Sequence, residues 1–330
     1  MTSTEIQTWT VSEPYIPFHG ALLEAPIHDT AGGLNRLRLV DIGTKQIHFV
    51  DLDKGPESLK SFDTGDSVSW PTNGPNRTTA DIDGDKDNII VGAKYGFALL
   101  DKKTGKLEYV AKLWNDTDPE GTAEKMRLND GAVDTRGRYW AGAMLDPESG
   151  YRPNQPVGIL FRLDADLTLH RMLTGLTIPN GMGWNALDTT FYITDSPTRT
   201  IWAFDYQSAP GTISNRRPFF TLPNTPDYEG GVPDGFAMDS LGFVWSCVFG
   251  KGVVVRISPG GGEVVARVKI PTRCATCPTF VGRSLFVCSA KEEEPERFKE
   301  EVSLRNQGCL FRVEDVGVEG VERGKFRFKC

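Results

Sequence analysis

The sequence lacks the features of a membrane or secreted protein. No apolar run approaches the ~20 residues that a membrane-spanning helix requires. The first residues, MTSTEIQTWTVSEPY, have neither the cationic start nor the apolar core of a signal peptide. We therefore expect a cytoplasmic protein that has no membrane partner.

Basic clusters and common catalytic motifs are also missing. The 37 Lys and Arg residues are spread among 44 acidic ones, for a net charge of -7, so a nucleic-acid partner is not expected. The four His residues are scattered without the spacing of metal ligands, and there is no G-x-S-x-G, H-E-x-x-H or P-loop sequence. These absences argue against a serine hydrolase of the elbow type, a zincin or a P-loop enzyme.

Cysteine is scarce and unevenly placed. All six residues lie in the last third of the chain, which is a poor disulfide framework, so we interpret them as reduced thiols. Cys274 and Cys277 form a C-x-x-C pair, but no second pair or His stands at zinc spacing, and a metal or redox role for this pair is the weaker interpretation.

What the sequence does contain is a repeat of short β-branched and aromatic runs that come in pairs. A turn centred on a small or polar residue precedes each pair, and the separations between successive turns are 52, 53, 51, 54 and 43 residues. The six turn residues are Asp29, Asp81, Asp134, Asn185, Asp239 and Gly282. A period of this length is typical of β-propellers, in which each blade is a four-stranded sheet.

This pattern predicts an all-β fold, a six-bladed β-propeller in one domain over residues 1–330. A two-sheet sandwich would not require so regular a repeat. The segment EIQTWTV near the start is a candidate to pair beside the last strands near GKFRFKC and close the ring.

One position in each unit carries a recurrent polar residue. The residues five positions before the turns mark the starts of the units and are, in order, Glu24, Asn76, Asn129, Asn180, Asp234 and Cys277. Five of the six have side-chain oxygen atoms. Because the first strand of each propeller blade lies beside the central channel, these residues are expected to share one ring around the axis.

Such a ring suits a hard cation. Carboxylate and amide oxygens are preferred by Ca²⁺, Mg²⁺ and Mn²⁺, and Glu24 and Asp234 would supply two negative charges. Zn²⁺ with mixed oxygen ligands is also compatible. The alternative is that these positions are polar because the channel holds water and the turns require Asn or Asp; Asn76 in particular stands in a turn-like stretch.

Arg127 belongs with this ring by strand periodicity. It stands two residues before Asn129, so both side chains point to the same face if the stretch is extended. A guanidinium there would hold substrate hydroxyls or a developing oxyanion. The alternative is an ordinary surface ion pair.

Several stretches resemble the gluconolactonase, regucalcin (senescence marker protein) and luciferin-regenerating enzyme family, which is related to calcium-dependent phosphotriesterases. They are LLEAPIHD, RLNDGAVDTRGRYWAGAM, TIPNGMGWNALDTTFYITDS with TISNRR, and PDGFAMDSLGFVW. The resemblance implies a six-bladed propeller with one divalent metal ion (Ca, Mg, Mn, Zn or Fe) held by Glu24, Asn180 and Asp234.

The resemblance also implies substrate contacts. The family's Arg and Asn of the R-x-N-D-G stretch correspond to Arg127 and Asn129, although an Asn near the latter position is a metal ligand in the phosphotriesterase relatives. The family often carries paired acids after AGAM, whereas this chain has Leu145, Asp146, Pro147 and Glu148. Asp146 and Glu148 are therefore the candidates for that contact.

These features predict a metal-dependent lactonase that converts an aldonolactone to its sugar acid, with Asp234 as the general base. A phosphotriesterase-like or esterase-like hydrolase is the first alternative. The second is a non-catalytic calcium-binding scaffold, since fold alone does not determine function.

Overall fold

The computed structural model describes residues 6–64, 75–292, 295–296 and 301–329, without the side chains of residues 75–77. Within these residues there are two short α-helices, α1 (Thr122–Lys125) and α2 (Glu301–Arg305), and most of the regular structure is β-strand. Among the described residues no helix has the length and apolar character needed to cross a membrane.

The described residues form six sheets, in which each strand pairs with the next along the chain. Sheet one contains β2 (Leu23–Asp29), β3 (Arg36–Asp41), β4 (Gln46–Asp51) and β5 (Lys60–Asp63). Sheet two contains β6 (Pro75–Ile82), β7 (Asp85–Ala93), β8 (Gly96–Asp101) and β9 (Leu107–Lys112). Sheet three contains β10 (Met126–Val133), β11 (Tyr139–Leu145), β12 (Gly158–Leu163) and β13 (Leu169–Leu176).

The second half of the chain repeats this order. Sheet four contains β14 (Pro179–Trp184), β15 (Thr190–Asp195), β16 (Thr200–Gln207) and β17 (Thr212–Thr221). Sheet five contains β18 (Val232–Met238), β19 (Val244–Phe249), β20 (Val253–Ile257), β21 (Val264–Lys269) and, at its outer edge, β1 (Gln7–Thr10). Sheet six contains β22 (Ala275–Val281), β23 (Ser284–Ser289) and β24 (Leu310–Val313). The prediction of an all-β, six-bladed propeller is confirmed.

Strand composition follows from position in the blade. The second strands β11 and β23 are buried along almost their whole length, because neighbouring blades cover both faces of each sheet. They are accordingly near-continuous apolar runs. The outer strand β17 is mostly exposed and carries polar residues at most positions.

Buried apolar clusters join neighbouring blades and close the ring. One cluster packs Leu23 and Leu39 of sheet one against Phe286 and Leu310 of sheet six. Five further clusters among the described residues fill the other blade interfaces. Because each sheet is covered by its neighbours, no blade could bury its faces alone.

The polar turn residues that mark the repeat accept hydrogen bonds that hold the turns in place. Asp134 accepts hydrogen bonds from the backbone N–H groups of Arg136 and Arg138, and from Trp140 Nε1 at 2.9 Å. Asp239 repeats this arrangement two blades further on, where Trp245 Nε1 lies 2.9 Å from its carboxylate. The D-x-x-G-x-x-W pattern therefore ties the turn to the second strand of its own blade.

The N-terminal segment pairs differently from the sequence-based expectation. Strand β1 pairs in parallel with β21 of sheet five, and not with the C-terminal segment, so that prediction is wrong. The residues that follow β1 close the ring instead. Ile16 forms an antiparallel bridge with Leu310 of β24, the last strand of sheet six. Tyr15 N–H also donates to the carbonyl of Leu310 at 2.8 Å, at the edge where a fourth strand of sheet six would lie.

The C-terminal tail, residues 319–329, crosses the channel at the end where the turns lie. Val321 N–H donates to the carbonyl of Met238 in sheet five at 2.9 Å, and Phe326 N–H donates to the carbonyl of Asp81 in sheet two at 2.8 Å. Phe326 is fully buried in the cluster between sheets two and three. The tail thus joins opposite sides of the ring.

Candidate functional site

A bulge occurs near the start of the first strand in all six blades. Pairing between β10 and β11 jumps from Leu128 to Gly131, so two residues of β10 oppose one of β11. The same two-against-one irregularity recurs at the corresponding place in sheets one, four, five and six, and in sheet two residues 76–78 oppose Gly92. Because bulges remove residues from the ladder and re-aim side chains, each blade offers one position whose side chain is not committed to strand pairing.

The predicted ring residues occupy or adjoin these bulges. Asn129, Asn180 and Asp234 are each the first unpaired residue of their bulge. In sheet one the bulge begins one residue after Glu24, at Ala25, whose φ of 47° is unusual for a residue with a Cβ atom. In sheet six Thr276 takes this position. The assignment of Cys277 to the equivalent position is therefore off by one residue, because the paired stretch between bulge and turn, residues 278–281, is one residue longer than its counterpart in β10, residues 131–133.

A chain of hydrogen bonds connects the bulges of sheets three, four and five. Asn129 Nδ2 donates to Asn180 Oδ1 at 3.0 Å and to the carbonyl of Pro179 at 2.8 Å. Asn180 Nδ2 donates to Ser196 Oγ at 2.7 Å, and Ser196 Oγ donates to the carbonyl of Pro233, the residue before Asp234, at 2.7 Å. Residues about 50 positions apart in sequence are therefore neighbours at one end of the channel.

The two predicted carboxylate ligands lie on either side of sheet six. Glu24 is 1% exposed and Asp234 is 3% exposed. Thr276 Oγ1 donates to the carbonyl of Leu23, which joins the bulge of sheet six to the residue before Glu24. A Cβ atom added at Gly235 would lie 2.6 Å from Cys277 Sγ, which places the bulges of sheets five and six in contact.

Arg127 is held in a defined orientation by two neighbours. Its Nη1 donates to Asn129 Oδ1 at 2.8 Å, and its Nε lies 3.4 Å from Asp146 Oδ1. Arg127 is buried, so the surface ion pair considered from the sequence does not describe it.

Asp146 anchors this arrangement through a second cation, Lys94, at the end of β7. Lys94 Nζ forms an ion pair with Asp146 Oδ2 and donates to Ser149 Oγ at 2.7 Å. Burial alone would raise the pKa of Asp146, but the hydrogen bond and charge of Lys94, with the charge of Arg127, hold that pKa below its usual range. Asp146 is therefore ionised at neutral pH and positions Arg127.

The remaining predicted residues lie elsewhere. Glu148 is exposed and contributes its backbone N–H to Asp146 Oδ1 at 3.1 Å. Its carboxylate is not part of the hydrogen-bonded chain described above. Asn76 belongs to β6, but its side chain lies outside the described part of the chain.

Two buried residues of the site were not predicted from the sequence. Lys94 follows the apolar run NIIVGA and Ser196 follows TFYITD, so each stands at the end of a second strand. A lone Lys or Ser at a strand end usually marks a solvated turn. One sequence signal was available. Lys94, Asp146 and Ser196 each follow the second strand of successive units, and this shared position brings them to the same end of the ring.

The donor set suits a divalent cation that prefers oxygen. Across the described residues no three His, Cys, Asp or Glu side chains form a cluster able to hold a metal ion. A metal ion at this end of the channel would therefore need amide oxygens as well as Glu24 and Asp234. Such a mixture fits Ca²⁺, Mg²⁺ or Mn²⁺ better than a metal that selects His or Cys.

The other end of the channel contains a cavity of ≈ 720 Å³. Inner-strand residues such as Met182, Phe236 and Phe280 line its wall, and the C-terminal tail contributes Arg323. Glu24, Asn129, Asn180 and Asp234 are not among its lining residues. The cavity and the candidate metal site therefore occupy different levels of one channel.

The five cysteines within the described residues are all buried. Burial raises the pKa values of Cys247, Cys277 and Cys288 well above the usual range, and the charges of Glu24 add to this in each case. Neutral, inaccessible thiols are poor nucleophiles.

We expect these five cysteines to resist thiol reagents in the native protein. At pH 8 a disulfide reagent such as DTNB should label Cys330 at most, because the other thiols are buried. Unfolding in guanidinium should expose all six, which serves as the control. Rapid native labelling of any of the five, located by peptide mapping, would contradict their placement.

Comparison with known families identifies the chain. A family described as the SMP-30/Gluconolactonase/LRE-like region matches residues 22–291. The chain belongs to this family. The matched region includes Glu24, Arg127, Asn129, Asn180 and Asp234, and it ends before the C-terminal tail.

Two relatives and one solved structure show the extent of the similarity. The pentonolactonase XacC of Haloferax volcanii is 36% identical over 206 residues, which cover 61% of this chain and 66% of the relative. Regucalcin of Pongo abelii is 28% identical over 312 residues, or 90% of this chain and 92% of the relative. A solved luciferin-regenerating enzyme superposes with a TM-score of 0.78 at 26% identity, over 94% of this chain and 97% of that one. One of the relatives of this chain is thus named a lactonase.

Proposed function

We propose that this protein is a divalent-metal-dependent lactonase that hydrolyses a five- or six-membered aldonolactone to the sugar acid. The observation that carries the proposal is the hydrogen-bonded chain from Arg127 through Asn129, Asn180 and Ser196 to the residue beside Asp234. It brings a cation, two amides and a carboxylate from three blades to one end of the channel. Family membership and the pentonolactonase relative support the same reaction class.

The metal ion would be held by Glu24, Asn180 and Asp234. When bound, a divalent cation supplies Lewis acidity for the lactone carbonyl. Both carboxylates are almost completely buried. Since buried like charges are costly without a compensating cation, this pair gives the site a preference for a cation of charge +2.

The protein groups perform the remaining steps. Asp234 accepts a proton from the attacking water molecule as the water oxygen bonds to the carbonyl carbon. It then returns the proton to the ring oxygen as the C–O bond breaks, which leaves a carboxylic acid and a hydroxyl group. Arg127 and Asn129 bind and orient the sugar hydroxyls, and Asp146 keeps the Arg127 guanidinium in place.

We expect the metal-stripped protein to be inactive and to regain lactonase activity when a divalent ion is restored. Ca²⁺, Mg²⁺, Mn²⁺, Fe²⁺ and Zn²⁺ should be titrated against a panel of aldonolactones. Asn180→Ala should weaken metal binding at least tenfold. Even substitution of residues that only support the metal ligands typically lowers metal affinity about 10 to 100-fold. Calorimetry gives the metal affinity independently of turnover.

The exposed Asn115, which caps a turn by accepting from Thr117 N–H, provides the control Asn115→Ala. It should bind metal and turn over lactones like the wild type. Metal binding without hydrolysis of any lactone would favour the phosphotriester substrate or the calcium-binding scaffold. Turnover that is indifferent to metal would contradict the proposal.

A further inference from the structure

Arg323 stands in the middle of the C-terminal tail, where anchors on both sides fix the backbone. Before it, Val321 N–H donates to the carbonyl of Met238. After it, the buried side chain of Phe326 and the backbone hydrogen bonds between Phe326 and both Asp81 and Asp83 hold the tail against sheet two. The side chain therefore projects from a segment that is tied to opposite sides of the channel.

The Arg323 guanidinium extends along the channel towards the candidate metal site. Its Nη2 lies 4.0 Å from Cys277 Sγ, a distance that suits a weak hydrogen bond to sulfur. The same sulfur atom lies 2.6 Å from where a Cβ atom on Gly235 would stand. Gly235 follows Asp234 directly, so the guanidinium reaches the level of the predicted carboxylate ligands from the opposite end of the channel.

Three buried acidic residues surround that level. Glu24, Asp130 and Asp234 are 1%, 5% and 3% exposed, respectively. After burial, the largest influences on the pKa of Cys277 are Asp130, which raises it, and Arg323, which lowers it, followed by Glu24 and Asp234. The three carboxylates and the Arg323 guanidinium therefore all lie close enough to the Cys277 thiol to influence its pKa.

We propose that Arg323 is a fixed counter-ion beneath the candidate metal site, which offsets part of the charge of Glu24, Asp130 and Asp234 and so sets how tightly a divalent cation is held. The inference rests on the proposed metal site. It extends that site to a residue outside residues 22–291, the part of the chain that the family description matches. In this role Arg323 is a positioning residue that acts through the metal ligands.

Two effects follow from the charge. Without metal, Arg323 stabilises the buried carboxylates, whose mutual repulsion in a poorly solvated channel would otherwise oppose folding. With metal, it repels the bound cation, because like charges a few ångströms apart interact strongly where water is scarce. Removal of the charge should therefore destabilise the metal-free protein and tighten metal binding.

The test is the metal affinity of full-length Arg323→Gln, measured by isothermal calorimetry with Ca²⁺ and Mn²⁺ after metal stripping. We expect a Kd at least roughly tenfold lower than that of the wild type, and a lower thermal midpoint for the metal-free form. Arg323→Lys keeps the charge and should restore much of the wild-type affinity. Arg327→Gln removes an exposed tail cation that pairs with Asp83 at 3.3 Å, and should change neither property.

The outcomes separate this inference from the proposed function. An unchanged or weaker affinity in Arg323→Gln, with normal binding by the wild type, would overturn the counter-ion role alone. Equal tightening by Arg323→Lys and Arg323→Gln would also overturn it, because charge would not then be the cause. If the wild type binds no divalent ion, both proposals fail.

Discussion

Asp234→Asn is expected to lower kcat for lactone hydrolysis by about 10² to 10⁴-fold, the usual contribution of a positioned general acid or base. Asn keeps the shape of the side chain and one oxygen atom, but it cannot accept the proton of the attacking water at neutral pH. The measurement is kcat at a metal concentration that saturates the variant, so that weaker metal binding does not enter the comparison. Asp234 is almost fully buried, which makes the isosteric change preferable to Ala.

Asp227→Asn supplies the matched control for this variant. The Asp227 carboxylate is 67% exposed and pairs with Arg267 at 3.2 Å, on the loop before β18. It should leave kcat and metal affinity at wild-type values. Full activity of Asp234→Asn at saturating metal would rule out the general-base role and leave Asp234 with a ligand role only.

Lys94→Met is expected to lower the free energy of unfolding by about 3 kcal/mol at pH 7. Removal of one partner of a buried ion pair typically costs 3 to 5 kcal/mol, because the other charge is left buried. The lower end applies here, since Asp146 retains Arg127 at 3.4 Å and the Ser149 hydroxyl at 2.9 Å. Denaturant unfolding of both proteins measures the difference.

The difference in the free energy of unfolding between wild type and Lys94→Met should become smaller at acidic pH. The pKa of Asp146 is lowered in the folded protein, so its stabilising contribution is complete above the unfolded-state pKa of ~3.9 and is lost as pH falls through the lower folded-state value. Lys103→Met removes a Lys whose side chain is 75% exposed, beside Asp87, and should have no measurable effect at either pH. A Lys94→Met protein as stable as this control would contradict the anchoring role of Lys94.

The propeller could be predicted because each repeat is stabilised by contacts between residues that are close in sequence. The turn residues Asp134, Asn185 and Asp239 accept hydrogen bonds from backbone N–H groups a few residues ahead, and Asp134 and Asp239 also bind a Trp at a fixed spacing. Such contacts depend on short stretches of chain, and a periodic sequence therefore reveals them. The spacing between turns also predicted Asn129, Asn180 and Asp234 in one ring; the structure joins the first two directly, and Ser196 links Asn180 to the carbonyl of Pro233, the residue before Asp234.

Long-range features were less accessible from the sequence. The position of Lys94 depends on Asp146, 52 residues later in another sheet, and a single Lys carries no sign of that partner. The path of β1 to sheet five and of the tail across the channel depends on edges that become available only after the blades have formed. One extra paired residue in β22, between its bulge and its turn, was enough to shift the assignment of Cys277.

The six bulges have a consequence for how such a protein can change. A residue that takes no part in the strand ladder can be exchanged without loss of a ladder hydrogen bond, so the sheets tolerate Asn129, Asn180, Asp234 and Thr276 equally at equivalent places. The bulge residues can therefore be changed one at a time while the blades keep the fold. Under the proposed function, such changes are the route by which the cation or the substrate could be altered by design.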